Sequence, residues 1–125
     1  MEEWRFFVFI GEDGQDEVSE WLAALPSKVS AKIRHILAHQ RLCATWKKDF
    51  CDNLEGYSGL YELKIDWQRQ HYRILGCFGT GRSEFTFVDG VQKEARIPRS
   101  VLKRAAERIA VIKLDGRRRR EFRIY

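Results

Sequence analysis

The apolar positions in the first forty residues predict one strand followed by two helices. Residues 4–10 are rich in aromatic and β-branched side chains, as strands are. The next apolar positions recur at i, i+3, i+4 and i+7, the spacing of one helix face: Val18, Trp21, Leu22 and Leu25. Pro26 ends this helix, and Ser27 is expected to cap a second helix that continues to about Gln40. The two helices are expected to form a hairpin.

After residue 59 the apolar period changes to two, which is typical of antiparallel strands. Residues 42–59 have no strong period and are expected to form a long loop. Alternation is clearest in the first run, where one parity holds Tyr61, Leu63, Ile65 and Trp67. Further strands are predicted at 71–78 and 83–91, and Pro98 then opens a final amphipathic helix. The predicted fold class is α+β, a small antiparallel β-sheet with packed helices in β-α-α-β-β-β-α order.

The third strand contains a conflict at Asp89. This residue has the same parity as Phe85 and Phe87, so a regular strand with buried phenylalanines would turn a carboxylate toward the core. A β-bulge near Gly90 would re-aim the chain and remove the conflict. The pattern alone leaves both arrangements open.

Composition indicates one cytoplasmic domain spanning residues 1–125. The chain is 44% apolar and 13% aromatic, which is enough to bury a single core. Its apolar runs are too short to span a membrane, and the acidic start is unlike a signal peptide. Three cysteines are an odd number without paired metal-ligand spacing, as expected for reduced thiols in the cytoplasm: Cys43, Cys51 and Cys77.

The net charge of +5 is distributed unevenly along the chain. Residues 96–125 contain eleven Lys or Arg and three acids, a sum of +8, so residues 1–95 sum to −3. This predicts a basic C-terminal tail, about 115–125, with Arg117–Arg120 as its extreme. Such a segment favours a polyanionic partner such as nucleic acid. A solvated helix face with a frayed tail is the alternative.

Basic residues on the predicted sheet suggest a phosphate-binding site. Lys64 and Arg73 lie at parities that place both on the mixed polar face, and cations on a rigid sheet are suited to stabilising charge that develops on a phosphate. Alternatively, Arg73 is a surface cross-strand partner of Glu62 or Asp66, worth under about 1 kcal/mol. No metal or cofactor is expected, because the helical triplet His35, His39 and Cys43 lacks an evident fourth ligand.

Three segments carry a family resemblance: Gly59–Lys64, Tyr72–Ile74, and Val88–Lys93 with the stretch to Pro98. They resemble the RelE/HigB superfamily of type II toxin-antitoxin toxins, especially its phage-type HigB-like branch. The resemblance implies a ribosome-dependent, metal-independent mRNA endoribonuclease. It also implies a cognate antitoxin, expected to be a small helix-turn-helix protein.

The resemblance assigns roles to several residues. Arg73 matches the arginine that stabilises the phosphorane-like transition state, and Lys64 and Lys93 match further basic positions of the family. Candidates for the general base and acid are Glu62, His71 and Asp89. Candidate RNA contacts are Arg69, Arg96, Arg99 and Trp67, although the parity of Trp67 also fits a core position.

The chain departs from the family pattern in one segment. Asp89, Val91 and Glu94 stand where many HigB-like toxins have histidine, phenylalanine and a second lysine. Two alternatives therefore stay open on the same fold. One is a ParE-like toxin that binds a topoisomerase without cleaving RNA, and the other is an inactive nucleic-acid or protein binding module.

Overall fold

A computed structural model describes residues 2–125. Its elements are β1 (Arg5–Phe9), α1 (Glu17–Ala24), α2 (Ser27–Gln40), β2 (Cys51–Asn53), β3 (Tyr61–Trp67), β4 (Gln70–Phe78), β5 (Glu84–Lys93), α3 (Arg99–Leu114) and β6 (Arg119–Glu121). The predicted α+β class and the order of the seven predicted elements are confirmed. Two three-residue strands, β2 and β6, are additions. No helix of the described chain is long and apolar enough to cross a bilayer.

The six strands form one sheet in the order β2-β3-β4-β5-β1-β6. Neighbouring strands are antiparallel except for the pair of β1 and β5, which is parallel with Phe6 opposite Phe85. The expectation of a purely antiparallel sheet is corrected here. Alternation of side chains does not encode strand direction, and the long connection between β1 and β5 allows a parallel pair.

Helices cover both sheet faces. The α1–α2 hairpin covers the first face, where the helical residues Leu22, Ile33 and Leu37 are buried with strand residues such as Phe85 and Phe87. Helix α3 covers part of the second face and buries Ala105, Ile109 and Ile112 against a second cluster that includes Phe9, Leu60, Leu75, Cys77 and Val88. Part of the second face therefore stays outside the footprint of α3.

A β-bulge resolves the conflict at Asp89. The β4–β5 register shifts between Leu75 and Gly76, so that Leu75 pairs with Asp89 and Gly76 pairs with Phe87. The extra residue is Val88, which points to the α3 side together with Asp89. Gly90 follows on the other face, where a Cβ would approach a Trp21 ring carbon to 2.2 Å. The bulge near Gly90 is thus present, and glycine lets α1 pack closely on β5.

The helix starts differ by one residue from the sequence expectation. Pro26 and Pro98 occupy the N-cap positions, so Ser27 and Arg99 are the first helical residues and Ser27 does not cap α2. Proline is tolerated there because its extended backbone leads into the helix. By contrast, Asp16 caps α1 by accepting a hydrogen bond from the Ser19 amide.

The C-terminal segment is integrated in the fold. Strand β6 pairs with β1, and Phe122 and Ile124 are buried in the first core. Arg34 of α2 donates to the carbonyl groups of Arg123 and Ile124. The frayed-tail alternative therefore does not describe residues 119–124.

Candidate active site on the second sheet face

Six charged or titratable residues of β2, β3 and β4 share the second sheet face. Cross-strand pairing puts Asp52 opposite Glu62, Lys64 opposite Arg73, and Asp66 opposite His71. Directly paired residues of antiparallel strands point to the same face, and positions two apart on one strand do so as well. We call these residues the charged cluster: Asp52, Glu62, Lys64, Asp66, His71 and Arg73.

Arg73 is the most buried member of the charged cluster, at 5% exposure. Its Nε donates to Glu62 Oε1 at 3.0 Å, and its Nη1 donates to Asp66 Oδ1 at 2.7 Å and to the Tyr72 carbonyl at 3.0 Å. Within residues 2–125, Arg73 Nη2 has no hydrogen-bond acceptor. Because every fully buried side-chain nitrogen or oxygen of these residues has a partner, Nη2 is not fully buried. Nη2 therefore keeps some solvent exposure in a side chain that is 6% exposed and that two carboxylates hold in place.

Lys64 and Arg73 are like charges placed directly opposite, an arrangement that is unfavourable unless it is compensated. Compensation comes from Asp52, whose Oδ2 lies 3.1 Å from Lys64 Nζ, and from the carboxylates that hold Arg73. The hydrogen bond from Lys64 lowers the pKa of Asp52 below its ordinary value. The two cations can thus share one small area of the sheet.

Asp66 also binds His71. The His71 Nδ1 lies 2.9 Å from Asp66 Oδ1, and the imidazole is 43% exposed. Burial acts to raise the pKa of Asp66, but hydrogen bonds from Arg73 and His71 outweigh it, so this pKa lies below its ordinary value. An ionised Asp66 accepts a proton-bearing Nδ1, which leaves Nε2 of a neutral ring as the acceptor.

The charged cluster has a formal charge of −1 with His71 neutral, because three carboxylates outnumber Lys64 and Arg73. One further cation adjoins it: Lys93 at the end of β5 pairs directly with His71. Lys93 has no carboxylate partner in the part of the chain that the structure describes. It is therefore the uncompensated cation beside His71.

Asp89 lies apart from the charged cluster, at the border of β5 and α3. Both of its oxygens accept from Arg104, at 2.7 and 3.2 Å, and one also accepts from the Gly90 amide. Arg108 approaches to 3.5 Å and also pairs with Glu17 of α1. The hydrogen bond to Asp89 raises the pKa of Arg104. In this position Asp89 joins α3 to the sheet.

The candidate RNA contacts divide between the two sheet faces. Arg69 is exposed at the tip of the β3–β4 hairpin, where Gln68 and Arg69 have φ values of 51° and 66°. Arg96 and Arg99 are exposed at the start of α3. Trp67 is half-buried against the first core, on the face opposite to Arg73. Trp67 is thus not brought to the charged cluster.

Comparison with known proteins identifies the family. The profile of the family described as phage-derived protein Gp49-like (DUF891) matches residues 20–110, which include the whole charged cluster. The chain belongs to the Gp49-like family. A comparison with curated protein sequences finds no significant match.

The solved structure of the E. coli toxin RelE, an arginine-to-alanine double mutant in the free state, has a similar fold. The TM-score is 0.58 at 16% sequence identity, and the alignment covers 87% of this chain and 99% of the RelE chain. At this identity the likeness concerns the fold. This Gp49-like protein therefore has the RelE fold that its sequence resemblance implied.

Sequence reasoning missed two members of the charged cluster. Asp52 lies in β2, which is too short to show a period, and Asp66 was considered only as a surface partner of Arg73. The signal for Asp66 was its parity, which matches that of Glu62 and Lys64. For this Gp49-like protein, no group of three or more His, Cys, Asp or Glu within residues 2–125 is arranged to hold a metal ion.

Proposed function

We propose that this Gp49-like protein is the toxin of a type II toxin-antitoxin system and cleaves mRNA on the ribosome. The observation that carries the proposal is Arg73, whose guanidinium is fixed by Glu62 and Asp66 while Nη2 has no acceptor within residues 2–125 and is not fully buried. A preorganised donor of this kind stabilises charge that develops on a phosphate, and removal of one such donor costs about 10²- to 10³-fold in rate.

The proposed reaction is transfer of a phosphoryl group within the RNA, from the 5′-oxygen of one nucleotide to the 2′-oxygen of the one before it. The ribose 2′-oxygen attacks the adjacent phosphorus, and the bond from phosphorus to the 5′-oxygen breaks. The products are a 2′,3′-cyclic phosphate and a 5′-hydroxyl. Negative charge grows on the non-bridging oxygens, where Arg73 Nη2 and Lys64 are the proposed donors.

His71 is the proposed general base. Asp66 holds Nδ1, so Nε2 is free to accept the 2′-hydroxyl proton. Lys93, which adjoins His71 across the strands, is the proposed donor to the departing 5′-oxygen. General acid and base catalysis contribute roughly 10²-fold or more each. Glu62 acts as a positioning residue for Arg73, and Asp89 acts through the packing of α3.

Binding of the substrate is assigned to cations around the charged cluster. Arg69, Arg96 and Arg99 are exposed and have no carboxylate partner among residues 2–125. The ribosome, in the cytoplasm, would supply the remaining alignment of the mRNA. A cognate antitoxin, proposed to be a small helix-turn-helix protein, would cover the charged cluster or clamp the helices.

One observation favours a second candidate function. The charged cluster has a formal charge of −1, which is low for a site that attracts RNA. A toxin that binds a topoisomerase, as ParE-like proteins do, or an inactive binding module would not need a positive site there. Cleavage of mRNA is expected of the nuclease and of neither of these two candidates.

The test is induced expression followed by primer extension on translated mRNA. The nuclease predicts growth arrest with cuts inside codons, and His71→Ala should abolish both while the protein stays folded. Arg117→Ala is the matched control, because Arg117 is 92% exposed and its one ion pair within residues 2–125 is with Asp115. Arrest without cuts would support the topoisomerase-binding toxin, and absence of arrest would support the inactive module.

A further inference from the structure

A basic surface lies on the opposite side of the sheet from the charged cluster, along α2 and the loop that follows it. Between Glu20 and Asp49 the chain contains no acid and six Lys or Arg residues. Four basic or titratable residues of α2 recur at i, i+4, i+7 and i+11, which places them in one solvent-facing stripe: Lys28, Lys32, His35 and His39. We call this stripe, with Lys47 and Lys48, the basic track.

The lysines of the basic track are not used for internal pairing. Within residues 2–125, none of its four lysines lies within 4.0 Å of a carboxylate, in contrast to Lys64 and Arg73. Lys28 also stands in the first turn of α2, where the helix dipole disfavours a cation and where no acid is present. Helix stability therefore does not explain this distribution of charge.

The basic track leads into an aromatic pocket. A cavity lined by His39, Lys47, Asp49 and neighbouring residues adjoins, through Thr45, a second cavity of about 260 Å³. Four aromatic side chains line the second cavity, together with Ala44, Thr45 and Cys51: Trp4, Trp46, Tyr61 and Phe78. Phe78 is 41% exposed at its mouth, which is unusual for a large apolar residue.

The aromatic pocket offers ring surfaces but few hydrogen-bond donors. The Trp4 indole N–H donates to the Cys43 carbonyl at 2.8 Å, and the Trp46 indole N–H donates to the Gln40 carbonyl at 2.9 Å. Burial and the neighbouring carboxylates of Asp52 and Glu62 raise the pKa of Cys51 to about 12, so the thiol is neutral. The pocket is thus suited to stacking on the face of a base, and it lacks free indole donors to recognise the hydrogen-bonding edge of that base.

We propose that the basic track and the aromatic pocket form a binding site for single-stranded RNA. The phosphates follow the lysines, and one unpaired base enters the pocket against Trp46 and Phe78. Aromatic rings beside a positively charged groove are the combination that holds single strands without sequence preference. From Lys28 to His39 the stripe spans about 16 Å of helix axis, long enough for several nucleotides.

An acidic peptide would also be attracted to the basic track. RNA is favoured because the cations adjoin stacked aromatic rings whose N–H groups are already satisfied. The site lies on the sheet face opposite to Arg73, so it is separate from the charged cluster. Its test measures binding alone and does not depend on the proposed nuclease.

The test compares two fluorescein-labelled RNA probes by fluorescence anisotropy with the full chain. One is a twelve-residue oligoadenylate, and the other is an abasic strand with the same backbone. The base-bearing probe should bind about 5- to 150-fold more tightly, the range for stacking of one base. Phe78→Ser should remove this difference, whereas Leu114→Ser should not, because Leu114 is 90% exposed and lies outside the pocket.

Charge reversal tests the basic track itself. Lys47→Glu/Lys48→Glu should weaken binding and reduce the slope of log affinity against log salt by about 1.4, the value for two phosphate contacts. Lys103→Glu/Lys113→Glu should leave binding unchanged, because both lysines are exposed on α3, over the other sheet face. Equal affinity of the two probes would overturn the proposal, and so would loss of binding in Lys103→Glu/Lys113→Glu alone. Equally tight binding of a twelve-residue polyglutamate, insensitive to Phe78→Ser, would indicate an acidic-peptide surface and overturn it too.

Discussion

The two sides of this molecule use their cations in different ways. In the charged cluster, both cations are held by carboxylates: Arg73 by Glu62 and Asp66, and Lys64 by Asp52. On the α2 side, the lysines of the basic track have no such partners within residues 2–125. Pairing fixes the position of a charge but weakens its field, whereas an unpaired charge keeps its field but not a fixed position.

The same distinction between paired and unpaired cations applies to the positive charge of the C-terminal segment. Residues 96–125 carry a formal +8, yet five of their eleven cations form salt bridges: Arg104, Arg108, Arg117, Arg119 and Arg120. A sixth, Arg118, donates to the Ile10 carbonyl and lies over the Phe9 ring. In this segment many of the positive charges are therefore used in contacts that join β6 and α3 to the rest of the fold.

The largest effect is expected at Arg73. Arg73→Met leaves the buried Glu62 carboxylate without its partner, and such a loss costs about 3–5 kcal/mol in the free energy of unfolding. Adding Glu62→Gln should recover most of that stability because no buried charge remains. Urea denaturation of the single and double variants measures both effects. A single variant as stable as the wild type would show that Arg73 is a surface residue in solution.

His71 should matter for chemistry rather than for stability. His71→Ala is expected to lower cleavage of ribosome-bound mRNA by about 10²-fold, because it removes the proposed base. Since the imidazole is 43% exposed, the free energy of unfolding should change by less than about 0.5 kcal/mol. Single-turnover cleavage and thermal denaturation give the two numbers. Cleavage at the wild-type rate would remove His71 from the mechanism.

A substitution at Glu84 tests the effect of a paired charge outside the charged cluster. Its carboxylate accepts from Arg119 at 2.6 Å, and this bond lowers the pKa of Glu84 below its ordinary value of 4.5. The lowered pKa means that its stabilisation is present above pH 4.5 and is lost as the pH falls below that value. Glu84→Gln should cost about 1–3 kcal/mol at pH 7 and flatten the stability profile below pH 4.5.

The corresponding measurement is chemical denaturation from pH 3 to pH 7. An acid dependence that is as steep in Glu84→Gln as in the wild type would assign the loss to other carboxylates, such as Asp66.

The smallest effect on stability is expected on the unpaired side. Lys47→Glu/Lys48→Glu should change the free energy of unfolding by no more than about 0.5 kcal/mol per site, because neither lysine has a carboxylate partner to lose. Thermal denaturation beside the wild type measures this. A large loss would mean that these lysines are paired in solution, which would break the comparison.

Much of the fold could be predicted from the sequence, because long elements leave a period. Helix α3 and strands β3 to β5 show it, and even the bulge was indicated by the parity of Asp89. Strands β2 and β6 were missed, since three residues carry no period and arginines such as Arg119 and Arg120 are not typical of strands. The parallel position of β1 was missed because alternation is the same in both directions.

The candidate site was harder to predict than the fold. Parity placed Lys64 and Arg73 on one face, but not the carboxylates that hold them, because Asp52 reaches Lys64 through the unpredicted β2. The basic track was not evident from the net charge of residues 1–95, which is −3. The positive charges of its four lysines were cancelled in the sum for residues 1–95 by acids that lie elsewhere in the fold.

The central claim is that cations held by carboxylates stabilise the reacting phosphate, whereas the unpaired lysines of the basic track capture RNA. The direct test compares Glu62→Gln/Arg73→Met with Lys47→Glu/Lys48→Glu, measuring mRNA cleavage in a reconstituted translation system and oligoadenylate binding. We expect Glu62→Gln/Arg73→Met to cleave mRNA at least 10²-fold more slowly and to bind oligoadenylate as the wild type does. We expect Lys47→Glu/Lys48→Glu to bind oligoadenylate more weakly and to cleave mRNA at the wild-type rate at saturating ribosome. Full cleavage by Glu62→Gln/Arg73→Met would contradict the claim.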